Sequence, residues 1–279
     1  MAYAFPGEGA LDYFPCRYGA SRLTFRGPRR GLDRPYVAFL GGTETYGKYV
    51  PEPFPGLVEA EIGFAAINLG CVNAGLDAYL GEAEILQMAR GAEAVVLQVV
   101  GAGNLSNRYY SVHSRRNDRF IAASPLLKSL FREVDFTDFN FTRHMLLTLH
   151  ATSQDRFELL ADELRATWVS RMTELLAALP PRTVLLWLAG HRPAGRLPRG
   201  GLTPDPVLVD AEMLAQVRPL AGGYAEAICG PAARLAGLDG LDGMAFPALE
   251  APAAAALPGP EAHRNVARIL AQALEQVLR

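Results

Sequence analysis

Thr43 stands in the run Gly41-Gly42-Thr43-Glu44-Thr45-Tyr46-Gly47-Lys48, directly after an apolar segment that spans Val37 to Leu40. The segment reads as a buried strand ending in a glycine turn that presents the threonine. A hydroxyl just past the C-terminal end of a central strand sits where open α/β sheets bind ligands and do chemistry. Acyl transfer needs such a hydroxyl, a base beside it, and N–H donors where charge develops on a carbonyl oxygen. Among the side chains, His263 is of the type best suited to proton transfer near neutrality. Asn104 and Asn107 follow the third apolar segment directly, so both fall at a strand end, and His191 comes just after the fourth. The stretch from Asn107 to Arg119 adds Arg108, Arg115, Arg116 and Arg119, together with Tyr109 and Tyr110. Arginine forks bind carboxylate, phosphate or sulfate and tyrosines stack on sugar faces, so an anionic glycan or acylated sugar suits this loop. The other reading is a solvated charged loop with ion pairs to Asp118 and Glu133. Glu44, Asn107, Arg108, Arg115, Arg116 and His191 are the candidate substrate contacts. His144 and His150 lie on a helix among apolar neighbours and read as core or surface histidines.

Gly42 to Lys48 also has the glycine and lysine spacing of a phosphate-binding P-loop. A P-loop needs Ser or Thr after the lysine to hold magnesium, and a helix starting there whose amides face the phosphates. Tyr49 takes the first place, while Pro51 and Pro53 break any helix begun at Lys48.

The elements that would position these residues follow from four short apolar runs: Val37 to Leu40, Ala65 to Leu69, Ala94 to Val100, and Thr183 to Leu188. Such runs suit strands covered on both faces, hence a parallel sheet. A weaker fifth strand falls around Tyr224 to Cys229. Helical stretches at Phe54 to Ile62 and Glu82 to Arg90 give a β-α-β-α-β order. From Asn104 to Pro180 no strand pattern is visible. A polar loop through Asp118 is expected there, then helices near Pro125 to Phe131, Phe139 to His150 and Phe157 to Leu179. An insertion of this kind over a sheet edge commonly forms a lid or substrate wall. Gly200 to Pro206 reads as a turn-rich loop, Leu249 to Pro260 as an irregular approach, and Glu261 to Leu278 as a final amphipathic helix.

Of the 279 residues, 50% are hydrophobic and the formal net charge is -2. One α/β domain is compatible with that length. The charge gives no bulk attraction to nucleic acid or anionic membrane, and no run of about eighteen apolar residues suggests a spanning helix. The N-terminus lacks a basic region followed by an apolar one, so a soluble cytoplasmic protein is expected. Cys16, Cys71 and Cys229 are far apart, without a C-x-x-C pair, and read as buried thiols rather than a disulfide framework or zinc site. No His and carboxylate spacing suggests a metal, and no cofactor is expected.

Four blocks, in the right order, make the chain similar to the SGNH or GDSL hydrolases. That family opens with a strand and Gly-Asp-Ser-x-x-x-Gly, and Phe39 through Gly47 lines up with Thr43 at the nucleophile. Ile67 to Gly75 resembles the second block, whose turn amide donates to the oxyanion, with Asn73 at that position. Gly101-Ala102-Gly103-Asn104 resembles the third, whose asparagine is the other donor, and His263 resembles the base on the last helix. The resemblance implies a nucleophile at Thr43, a base at His263, and an oxyanion hole of Asn104 with the Gly42 and Asn73 amides. The sequence departs from the pattern by an extra residue in the third block's glycine run and at five positions. Thr43 replaces Ser, Gly42 replaces Asp, Asn73 stands where Gly is usual, Leu105 follows Asn104 in place of Asp, and Pro260 replaces the Asp that orients the histidine. The whole chain also resembles a bacterial family known only as a domain of unknown function.

The expected fold is thus a three-layer α/β/α domain over residues 1–279, with a mainly parallel sheet of about five strands and a helical insertion after the third, at about 105–180. The expected function is an SGNH-like hydrolase or O-acyltransferase acting on an ester of a carbohydrate or polar metabolite. Alternatives are a non-catalytic SGNH-like protein that binds a glycan or anionic ligand, and a nucleotide-dependent group transferase. The expected partner is a small molecule or glycan; oligomeric state is not legible.

Overall fold

The computed structural model describes residues 9–195, 202, 205–230 and 241–279. Of the loop expected over Gly200 to Pro206, only residues 202, 205 and 206 fall among these. In chain order, β1 (Tyr36–Leu40) is followed by the one-turn helix α1 (Thr43–Tyr46), α2 (Phe54–Ile62), β2 (Ala65–Asn68), α3 (Leu76–Leu80), α4 (Ala83–Arg90) and β3 (Ala94–Gln98). Next come β4 (Tyr110–His113), β5 (Arg116–Ala123), α5 (Pro125–Leu130), α6 (Thr142–Thr152) and the long α7 (Gln154–Ala178). The chain closes with β6 (Thr183–Ala189), α8 (Ala211–Val217), β7 (Gly223–Ile228), the short α9 (Ala251–Ala255) and α10 (Pro260–Leu278).

Five strands form one parallel sheet in the order β2-β1-β3-β6-β7. Both faces are covered, which explains why the strand sequences are continuous apolar runs rather than alternating ones. Val37, Phe39, Val96 and Leu186 point toward α2 and α10, whose Phe54, Val58, Val266, Leu270 and Leu274 meet them. Ala38, Leu40, Val95, Leu97 and Trp187 point the other way, toward α3, α4, α7 and α8. This is the expected three-layer α/β/α architecture, and the weak fifth strand is present as β7.

The chain leaves β1 toward β2 on one side and β3 toward β6 on the other, so strand order reverses between β1 and β3. At such a reversal neighbouring connections run to opposite faces and open a crevice at the strands' C-terminal ends. Thr43 follows the end of β1 and Asn104 follows the end of β3.

One expectation is overturned between Asn104 and Pro180. The polar loop is an antiparallel hairpin, β4 with β5. Only Asn117 and Phe120 of β5 are buried, and its one apolar stretch, Phe120 to Ala123, is short and largely exposed, unlike the buried runs of the central sheet. A polar side chain holds it down. The Asn117 carboxamide accepts from the N–H groups of Gly75 (2.8 Å) and Ala78 (3.1 Å) at the start of α3, the second shared with Gly75 O at 3.3 Å. Its Nδ2 donates to His113 O at 3.0 Å, closing the hairpin turn. The three helices expected after the hairpin are present as α5, α6 and α7, and the approach to α10 contains α9.

Helix α7 buries Phe157, Leu160, Ala161, Leu164, Trp168, Met172 and Leu175 on one stripe, the spacing of an amphipathic helix. The Trp168 indole donates to Val100 O at 2.7 Å, which ties this insertion to the chain just beyond β3.

Candidate functional site

The end of β1 is fixed from both sides. Tyr79, fully buried on α3, accepts from the Gly41 N–H at 3.0 Å, and its hydroxyl lies 2.6 Å from Gly41 O and 2.8 Å from Leu69 O. At the end of β3, Gln98 Oε1 accepts from the Gly42 N–H (3.0 Å) and the Thr45 hydroxyl (2.6 Å), while its Nε2 donates to Glu44 (2.8 Å). One carboxamide therefore holds three residues of the turn, Gly42, Glu44 and Thr45. Burial, opposed in part by the Gln98 hydrogen bond, raises the Glu44 carboxyl above its ordinary range. The turn presenting Thr43 is the first turn of α1, which ends at Gly47 in the left-handed conformation (φ 73°).

Thr43 meets Asn73 twice. Its hydroxyl lies 3.1 Å from Asn73 Oδ1, to which it donates, and accepts from the Asn73 N–H at 3.0 Å. Asn73 has φ 56°, a conformation that Asn tolerates better than most residues, and its Nδ2 donates to Asp118 at 3.1 Å. Asn104 is turned by Thr142, whose hydroxyl donates to Asn104 Oδ1 at 2.6 Å. The amide end of that carboxamide is thus the end left for a ligand. Gly75 permits this approach, since a Cβ there would come within 2.1 Å of Asn104 O.

Asn73, Asn104, Asp118 and Thr142 form the polar side of a cavity of about 550 Å³, and Leu146, Leu147 and Val207 are on its apolar side. That size and mixed lining suit a small-molecule ligand.

His263 takes a different place. It is 2% exposed, and its ring stacks on Phe54 with centroids 5.6 Å apart. Nδ1 accepts from the Phe54 N–H at 3.1 Å. A neutral imidazole with Nδ1 accepting carries its proton on Nε2, the wrong tautomer for taking a proton there. Burial, with the nearby Arg26 guanidinium adding to it, pushes this imidazole down to about 3. Thr43 is hydrogen-bonded to Asn73 and not to His263, and His263 is not among the described residues lining the cavity. As arranged, the residue expected as base is a packing residue that caps the start of α2. The amides expected at the oxyanion hole are also engaged: that of Gly42 by Gln98 and that of Asn73 by Thr43.

The expected substrate contacts disperse. Asn107 shapes its own turn, accepting from the Tyr109 and Tyr110 N–H groups and donating to Leu105 O. Arg108 pairs with Glu163 at 2.9 Å. Arg115 and Arg116 are exposed at the hairpin turn, where their N–H groups face His113 Nδ1. His191 sets its ring edge against Trp187 and does not line the cavity among the described residues. Lys48 pairs with Glu250 and lies 4.5 Å from the Tyr49 ring centroid, so it is turned toward a structural contact rather than a phosphate cradle. Of the cysteines expected to be buried thiols, Cys16 is only half-buried.

Two site residues escaped the sequence reasoning. His144 lines the cavity and meets the edge of Phe139, and Asp118 holds Asn73. Apolar neighbours along a helix do not reveal that His144 falls on the exposed face. Asp118, on the polar first half of β5, was legible only as part of a charged loop. Among the described residues, no group of three or more His, Cys, Asp or Glu is gathered to hold a metal, and no helix is long and apolar enough to cross a membrane.

Solved structures with some likeness include an extracellular lipase from Streptomyces rimosus (12% identity, TM-score 0.43, 86% of this chain and 99% of that chain). A lipase from a goat rumen metagenome follows (12%, 0.42, 86% and 97%), as does phospholipase A1 from Streptomyces albidoflavus (12%, 0.41, 86% and 98%). No curated protein matches. A family model described as domain of unknown function DUF6473 matches residues 1–278, and the chain belongs to that family.

Proposed function

We propose that the cavity beyond the end of β3, walled by Asn73, Asn104, the β4–β5 hairpin and α6, binds a small polar molecule and holds it without turnover, as a non-catalytic SGNH-like ligand-binding protein. One observation carries this reading: the Thr43 hydroxyl is engaged by Asn73 while the acceptor nitrogen of His263 is engaged by Phe54. A nucleophile needs a base within hydrogen-bond reach, and this threonine has an amide there instead. The chain is taken as one domain, with the insertion at about 105–180 as the cavity's outer wall.

Ester hydrolysis or acyl transfer through Thr43 is the second reading. It is favoured by the Asn104 amide, left open to the cavity. Short-chain aryl esters and acetylated sugars, offered to wild type and Thr43→Ala, separate the two. Binding predicts no hydrolysis above the variant's rate in either protein, with at least one compound from a small-molecule thermal-shift panel raising the melting temperature. Hydrolysis lost in Thr43→Ala would instead establish the second reading.

A further inference from the structure

We infer that the cavity selects a protonated amine carried on a short aliphatic portion, an inference that rests on the binding reading above. Among the described residues, the charged or titratable side chains lining the cavity are Asp118, Asp205, Arg143 and His144. Arg143 Nη1 lies 3.3 Å from Asp205 Oδ2, so these two largely offset each other. Asp118 is left over. Its Oδ2 accepts from Asn73 Nδ2, and among the described residues no Lys or Arg side chain comes within ion-pair distance of it. A half-buried carboxylate with one neutral donor has acceptor capacity to spare.

The arginines that would have made this an anion site point elsewhere. Arg108 is committed to Glu163, Arg119 lies over the ring of the cavity-lining Phe141, 5.2 Å from its centroid, without itself lining the cavity, and Arg115 and Arg116 stand exposed on the hairpin turn. An ammonium group at Asp118 would complete the carboxylate's hydrogen bonding and meet favourable potential. Leu146, Leu147 and Val207 then receive the carbon chain.

Calorimetric titration of the full chain with n-hexylamine, hexan-1-ol and hexanoate tests this, in wild type and Asp118→Asn, with melting curves to verify folding. The ammonium is expected to bind about tenfold more tightly than the alcohol, the effect of one charge-assisted hydrogen bond, with hexanoate weakest. In Asp118→Asn that preference should vanish while alcohol binding persists. Equal binding of amine and alcohol, or hexanoate as the tightest probe, overturns the amine selectivity and leaves the binding reading standing. Absence of heat or melting shift with these probes and with neutral sugars overturns both. The order of the three probes in wild type decides the matter even if the variant does not fold.

Discussion

On one side of the sheet, α2 and α10 bring Phe54 and His263 into a dry contact with the strands; on the other, the β4–β5 hairpin and α6 stand away from the strand ends and enclose a cavity. Both regions border the same strand ends, and both contain a histidine. His263 on the closed side is 2% exposed and neutral, with its acceptor nitrogen on a backbone N–H. His144 on the open side is exposed and faces Asn73, Asn104 and Asp118 across the cavity. The imidazole's chemistry is set by what is packed against it rather than by its place at the start of a helix.

The sharpest way to break this contrast is to remove the support of the open side. Trp168, fully buried on α7, is that support through its bond to Val100 O. Trp168→Ala is expected to cost about 3–5 kcal/mol in urea unfolding and to abolish ligand binding. A loss below about 1 kcal/mol would mean that the cavity wall stands without α7.

Acid sharpens the closed side. An unfolded chain takes a proton on His263 near its ordinary 6.5, whereas the fold refuses it down to about 3. Between those values the unfolded state binds more protons, so stability is highest above pH 6.5 and falls with decreasing pH, by up to about 1.4 kcal/mol per pH unit from this residue. His263→Gln should flatten that slope in denaturant midpoints measured from pH 7 to pH 4. An unchanged slope would show that the histidine is protonated in the folded protein. The smallest effect is expected at the hairpin tip. Arg115→Ala with Arg116→Ala should shift stability by less than about 0.5 kcal/mol and leave ligand affinity unaltered; weakened binding would return these arginines to the site.

The sheet was readable because its strands are buried on both faces, and Val37 to Leu40 or Thr183 to Leu188 can hardly be anything else. The hairpin was not, because β5 is held by the Asn117 carboxamide and the docking of Phe120, neither of which leaves a periodic trace. In the site, the strand-end rule pointed to Thr43, Asn73 and Asn104; the structure sets Asn73 and Asn104 on the cavity wall and Thr43 behind Asn73, outside the lining. The rule could not say which of their donors would already be occupied, since Gln98 reaches Gly42 across 56 positions of sequence. Nor could it separate His263 from His144, because which histidine is sealed depends on the elements packed above it.

Gln98 has one more consequence. By joining Gly42, Thr45 and Glu44 to the neighbouring strand, it makes the turn behind the cavity-lining Asn73 a part of the folding transition itself. On the binding reading, an arriving molecule then finds Asn73 already in place and loses little affinity to ordering it. Discrimination between candidate guests falls to the far wall, where α6 and the hairpin meet.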